Sequence, residues 1–102
     1  MKTISFETLK PRLDAGEDIK LIDVREPAEH ADYNIGGVLL PLGKVQTMQI
    51  EDIEDFRNDE VVVYCRSGRR SLNAVLVLEQ LGFTNVANLE GGMLEWQEKA
   101  GK

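Results

Sequence analysis

Cys65-Arg66-Ser67-Gly68-Arg69-Arg70-Ser71 places the chain's only cysteine directly ahead of three arginines, two serines and a glycine. A thiolate is a potent nucleophile, and a helix N-terminus or nearby cations lower a thiol pKa by roughly one to several units from about 8.5. The chemistry to expect is nucleophilic attack by Cys65, with no separate general base. His30, the single histidine, lies in the Glu26–Tyr33 segment and reads as an exposed helix residue, so no Cys–His pair is assigned. Arg66, Ser67, Gly68, Arg69 and Arg70 are the candidate substrate-binding residues. Their charges attract an anion, and the backbone N–H groups of such a loop can turn inward as a nest, with Gly68 supplying the backbone freedom. Taken alone, Cys65 would be a small buried hydrophobe and the arginines a solvated turn. The immediate succession of thiol, cations, glycine and helix start favours the chemical reading.

Positioning such a loop needs a strand before it and a helix after it. Val61-Val62-Val63-Tyr64 is continuously apolar and β-rich, the pattern of a strand covered on both faces. Beyond the loop, Ala74, Val77, Leu78 and Leu81 recur at helical spacing from a start near Arg70, and Gly82 is placed to end the helix. Cys65 therefore belongs at the carboxyl end of a strand, where open α/β sheets bind ligands. Further short apolar runs at Thr3-Ile4, Ile19–Val24, Val38–Leu40 and Asn85–Leu89 bring the candidate strands to five. Strand alternating with helix implies an α/β fold. Ser5 can cap a first helix with Phe6, Leu9 and Leu13 inward, which Pro11 should kink or break. Glu26-Pro27-Ala28-Glu29 opens a short helix, Gly43 to Arg57 reads as short helical pieces, and Gly92 to Lys99 as a last helix.

Composition sets the outer limits. The chain has 102 residues, 42% of them hydrophobic, which suits one domain spanning residues 1–102. No run of ~18 apolar residues occurs, and Met1-Lys2-Thr3-Ile4-Ser5 lacks an apolar signal region, so a cytoplasmic protein is expected. A net charge of −6 argues against nucleic acid or an anionic membrane as partner. One cysteine and one histidine exclude Cys-rich and two-His metal sites, and no metal is expected. The acidic stretch Glu51-Asp52-Ile53-Glu54-Asp55 reads as a solvated helix face.

Four segments resemble the rhodanese family, and the resemblance covers essentially the whole chain. Leu21-Ile22-Asp23-Val24-Arg25-Glu26-Pro27-Ala28-Glu29 is similar to its first signature. Asn34-Ile35-Gly36-Gly37-Val38 with Leu40-Pro41-Leu42 resembles the second, although Tyr33-Asn34-Ile35 stands where the family often has Gly-His-Ile. The Cys65–Ser71 segment resembles the active loop, and Leu81-Gly82-Phe83 with Leu89-Glu90-Gly91-Gly92-Met93 to Trp96 resembles the C-terminal signature. The resemblance implies a five-stranded parallel sheet flanked by helices on both faces, with Cys65 accepting a sulfane sulfur as a persulfide. It implies a thiosulfate sulfurtransferase that needs no cofactor, with thiosulfate as the usual laboratory donor and cyanide or a thiol as acceptor. A protein donor or acceptor suits the same short loop. Asp23 and Arg25 border the site as a buried structural ion pair, and Trp96 is core or pocket wall.

Two other classes compete. Phosphatases and arsenate reductases of the same superfamily have five residues between cysteine and distal arginine, whereas Arg66, Ser67, Gly68 and Arg69 leave four before Arg70. Noncatalytic regulatory members of the family typically lack the cysteine, which is present here.

Overall fold

A computed structural model describes residues 1–101. Five strands form one all-parallel sheet: β1 (Lys2–Ile4), β2 (Lys20–Asp23), β3 (Val38–Leu39), β4 (Val61–Tyr64) and β5 (Val86–Leu89), in the order β1-β5-β4-β2-β3. The central strand is β4, and all four of its residues are buried, as a run without polar alternation requires. Val63 lies between Ile22 of β2 and Asn88 of β5, and Tyr64 is level with Asp23.

Helices cover both faces. On one side α3 (Leu42–Gln46), a 3-10 helix (Glu51–Phe56) and α4 (Arg69–Gln80) close over Ile22, Val24, Val61 and Val63. On the other, α1 (Phe6–Asp14) and α5 (Gly92–Ala100) cover Leu21, Val62 and Leu89, while the short α2 (Pro27–Asp32) follows β2. In α4 the buried residues Ser71, Ala74, Val75 and Leu78 fall at i, i+3, i+4 and i+7, and burying each aliphatic side chain contributes roughly 1.5–3 kcal/mol. In α5 Met93 and Trp96 face inward, and the Trp96 ring meets Phe6 edge-on with centroids 4.9 Å apart.

The expected break at Pro11 does not occur. Ser5 caps α1 by accepting from the Thr8 amide at 3.2 Å, and the helix runs through to Asp14. Pro11 lies on the exposed side and its carbonyl still accepts from Ala15 N at 3.0 Å. In so short a helix, fixed by buried Leu9, one missing internal donor is tolerated. Among the described residues, no helix is long and apolar enough to cross a membrane.

Candidate active site

Cys65 follows the last residue of β4 and is only 1% exposed, so burial alone would suit the inert small hydrophobe. The sulfur's surroundings do not. The Gly68 amide donates to Sγ at 3.1 Å and the Ser71 amide at 3.4 Å, while the Ser71 hydroxyl lies 3.3 Å away. Gly68 makes this turn at φ +100°, in the left-handed region, and places the N-terminus of α4 toward the sulfur. Burial pushes the Cys65 thiol up, but the Ser71 hydroxyl and the amides of Ser71, Gly68 and Ser67 outweigh it and hold the thiol below its ordinary value.

The loop is clamped from outside. Asn88 of β5 donates from Nδ2 to Gly68 O at 3.1 Å, and its Oδ1 accepts a short hydrogen bond from the Ser71 hydroxyl. At the start of α5, Met93 N donates to Cys65 O and Leu94 N to Arg66 O, each at 2.9 Å. Only a glycine lets α5 come this close. A Cβ on Gly92 would stand 2.4 Å from Cys65 O and 2.6 Å from Arg66 O, and Gly92 has φ +52°. Gly92 thus serves backbone approach to the Cys65 loop, whereas Gly91 is needed for its own left-handed turn at φ +73°, where a Cβ would strike the Glu95 side chain.

The three arginines differ in role. Arg70 forms a two-pronged pair with Glu29 of α2, Nη1–Oε1 at 2.8 Å and Nη2–Oε2 at 2.9 Å. That bond, with help from the Glu26 amide, holds the Glu29 carboxyl down at about 2. Arg66 and Arg69 are exposed and form no ion pair among the described residues. The lowering of the Cys65 thiol rests on hydrogen bonds first, whereas the sequence pointed to the three arginines. Of the three, Arg70 is the one whose charge is coupled to Cys65, although Glu29 offsets much of it; Arg66 and Arg69 lie exposed at the rim of the loop.

Asp23 and Arg25 form the expected buried pair, with Arg25 Nη2 donating to Asp23 Oδ2 at 2.8 Å and Nε to Oδ1 at 2.9 Å. Arg25 also donates to Tyr33 O at 2.5 Å and lies over the Tyr64 ring at 5.6 Å. Burial pushes the Asp23 carboxyl up, and Arg25 and His30 outweigh it, leaving it below the usual range. His30 is therefore not the exposed residue expected. Its side chain is 24% exposed and Nδ1 donates to Asp23 Oδ2 at 2.8 Å, because the short α2 folds back over the end of β2. It belongs to the ion-pair cluster and makes no hydrogen bond with Cys65. Among the described residues, no group of three or more histidine, cysteine or acidic side chains is placed to hold a metal ion.

Sequence reasoning passed over three residues here: the Ser71 hydroxyl, Asn88 and Glu29. Asn88 carried a signal, since it is the lone polar side chain in the otherwise apolar run Val86-Ala87-Asn88-Leu89. Glu29 carried none, because its partner lies 41 residues away.

The family model described as Rhodanese-like domain matches residues 5–99. A protein of Allochromatium vinosum named as a sulfurtransferase is 42% identical over 94 residues, which cover 91% of this chain and 85% of that one. YrkF of Bacillus subtilis, named provisionally as a sulfur carrier protein, is 39% identical over 97 residues, covering 94% of this chain. The chain spans only 51% of that relative's length. The human single-domain sulfurtransferase TSTD1 superposes with a TM-score of 0.80 at 28% identity over 97% of both chains.

Proposed function

The chain belongs to the rhodanese-like domain family, and on that premise we propose that it moves a sulfane sulfur from a donor such as thiosulfate to cyanide or a thiol through a persulfide on Cys65. The observation that carries this reading is the buried Sγ accepting from the Gly68 and Ser71 amides. Amide dipoles fixed in a water-poor pocket stabilise a sulfur anion before reaction and again when the sulfur leaves.

In the first step the Cys65 thiolate attacks the outer sulfur of thiosulfate, the new S–S bond forms, and the old one breaks with its electron pair departing on sulfite. In the second, an acceptor nucleophile takes the outer sulfur and the electron pair returns to Sγ, where the same amides receive it. Arg66 and Arg69, exposed at the loop, draw in the dianionic donor; Arg70 acts mainly as a tether to α2. Residues 1–102 act as one domain in this account, and a reducing cytoplasmic setting suits its free thiol. The four residues between Cys65 and Arg70 make a cradle for one sulfur atom, smaller than a tetrahedral phosphate requires.

Replacing Cys65 by alanine tests the reading. The variant stays folded, with a modest loss of stability because the Gly68 and Ser71 amides lose their sulfur acceptor, and it loses thiosulfate-dependent thiocyanate formation. A folded variant that still turns over would refute the covalent route.

A further inference from the structure

Beside the sulfur loop lies a cleft between α2 and the start of α5. Glu29, Asp32 and Tyr33 line it on one side, Arg66, Leu94 and Gln97 on the other. It adjoins the loop at both ends. Arg66 directly follows Cys65 and its carbonyl is held by Leu94 N at 2.9 Å, while Glu29 clasps Arg70, in the first turn of α4 just beyond the loop, at 2.8 Å.

The charges in the cleft fall into two groups. Glu29 is committed to Arg70, and Arg25, also at the cleft, is committed to Asp23. Arg66 and Asp32 are both exposed, and among the described residues neither side chain has an ion-pair partner. The Gln97 amide likewise forms no hydrogen bond among the described residues, and Leu94, 45% exposed, adds an apolar lip. The cleft therefore carries one unpaired cation and one unpaired anion, and Asp32 disfavours a dianion settling there even though Arg66 helps draw the donor toward the loop. The cleft suits a small molecule carrying both charges.

Resting on the reading of Cys65 as a persulfide carrier, we propose that this cleft is the acceptor site for a zwitterionic α-amino-acid thiol of the cysteine type, with Arg66 taking its carboxylate and Asp32 its ammonium. The acceptor thiolate attacks the outer sulfur of the Cys65 persulfide, which carries the proton. A bond forms between acceptor sulfur and outer sulfur, the bond from outer sulfur to Sγ breaks, and its electron pair returns to Sγ. The products are the amino-acid persulfide and the Cys65 thiolate, with no oxidant or reductant required.

The test begins with protein whose Cys65 has already been loaded with one sulfur. Single-turnover rates are compared, per thiolate, for cysteine, cysteamine, mercaptopropionate and mercaptoethanol. Cysteine should exceed mercaptoethanol by about fivefold to tenfold, the scale of two part-exposed ion pairs. Asp32→Asn should bring cysteine down to the rate of mercaptopropionate, and Arg66→Gln should bring it down to that of cysteamine. Equal rates for all four thiols overturn the proposal, as does a cysteine preference that Asp32→Asn leaves intact. Failure of the underlying reading looks different, since a protein that never takes up sulfur gives no rate at all. Calorimetry of unloaded protein with S-methylcysteine then decides: saturable binding weakened by Asp32→Asn sustains the cleft as a zwitterion site, and absence of binding overturns it.

Discussion

Ser71→Ala removes a hydroxyl that has one proton and two claimants. Toward the neutral thiol the hydroxyl donates to Asn88 Oδ1 and is free to accept from S–H; toward the thiolate the proton must turn to Sγ, 3.3 Å away, and Asn88 Oδ1 loses it. A hydrogen bond to a charged group contributes about 1.5–3 kcal/mol and a neutral one about 0.5–1.5, so the net stabilisation of the thiolate is about 1 kcal/mol. At 1.36 kcal/mol per unit, the variant's thiol pKa rises by a little under ~1 unit. The Gly68 and Ser71 amides remain in place. Intrinsic nucleophilicity rises with pKa at a Brønsted slope of ~0.4–0.5, so the rate does not fall as far as the thiolate fraction. Below both pKa values the variant should react about threefold slower, and above both about twofold faster. The pH profiles of iodoacetamide alkylation for the two proteins should therefore cross. Profiles that coincide, or a variant pKa at or below the native value, would refute the assignment of the hydroxyl to the thiolate. The orphaned Asn88 carbonyl should also cost about 1–3 kcal/mol of stability, read from urea unfolding.

Glu29→Gln should release Arg70 toward the loop and lower KM for thiosulfate by about twofold to threefold, for less than about 1 kcal/mol of stability given the pair's exposure. Because the Glu29 carboxyl is held down from 4.5 to about 2, that stability difference should be complete above pH 4.5 and vanish as pH falls through about 2; a difference that grows on acidification contradicts the pairing. Gly92→Ala forces a Cβ against the Cys65 and Arg66 carbonyls, and thermal unfolding should fall by on the order of 10 °C, the equivalent of ~2 kcal/mol; an unchanged transition would remove the close approach of α5 from the account. Kinetics with an aryl phosphate should show negligible hydrolysis by the native protein, and one glycine inserted between Gly68 and Arg69 should weaken sulfur transfer while improving phosphate binding. Efficient native phosphatase turnover would reverse the choice between sulfur and phosphorus.

Much of this was legible in the chain because the decisive signals are local. The apolar run Val61–Tyr64, the polar loop and the periodic α4 sit end to end, so the strand–loop–helix unit that presents Cys65 could be read directly. All five strands lie where short apolar runs stood, and α2 and α5 begin at the expected proline and glycine positions. What escaped depends on contacts between distant segments. Glu29 and Arg70 meet only because α2 folds over the end of the sheet, and His30 reaches Asp23 for the same reason. The arginines look alike in the sequence, yet one is tethered and two are exposed, a division set by topology. The depressed thiol followed from the local pattern, but its main cause, hydrogen bonds from Ser71 and Gly68, needed the turn at Gly68 to be seen in three dimensions.

The central claim, that Cys65 carries sulfur covalently, is tested most directly by intact mass of the protein after exposure to thiosulfate, measured before and after cyanide. The account predicts an increment of one sulfur atom that cyanide removes with formation of thiocyanate and that Cys65→Ala never acquires. A native protein that gains no such increment, or one that gains it equally without Cys65, would contradict it.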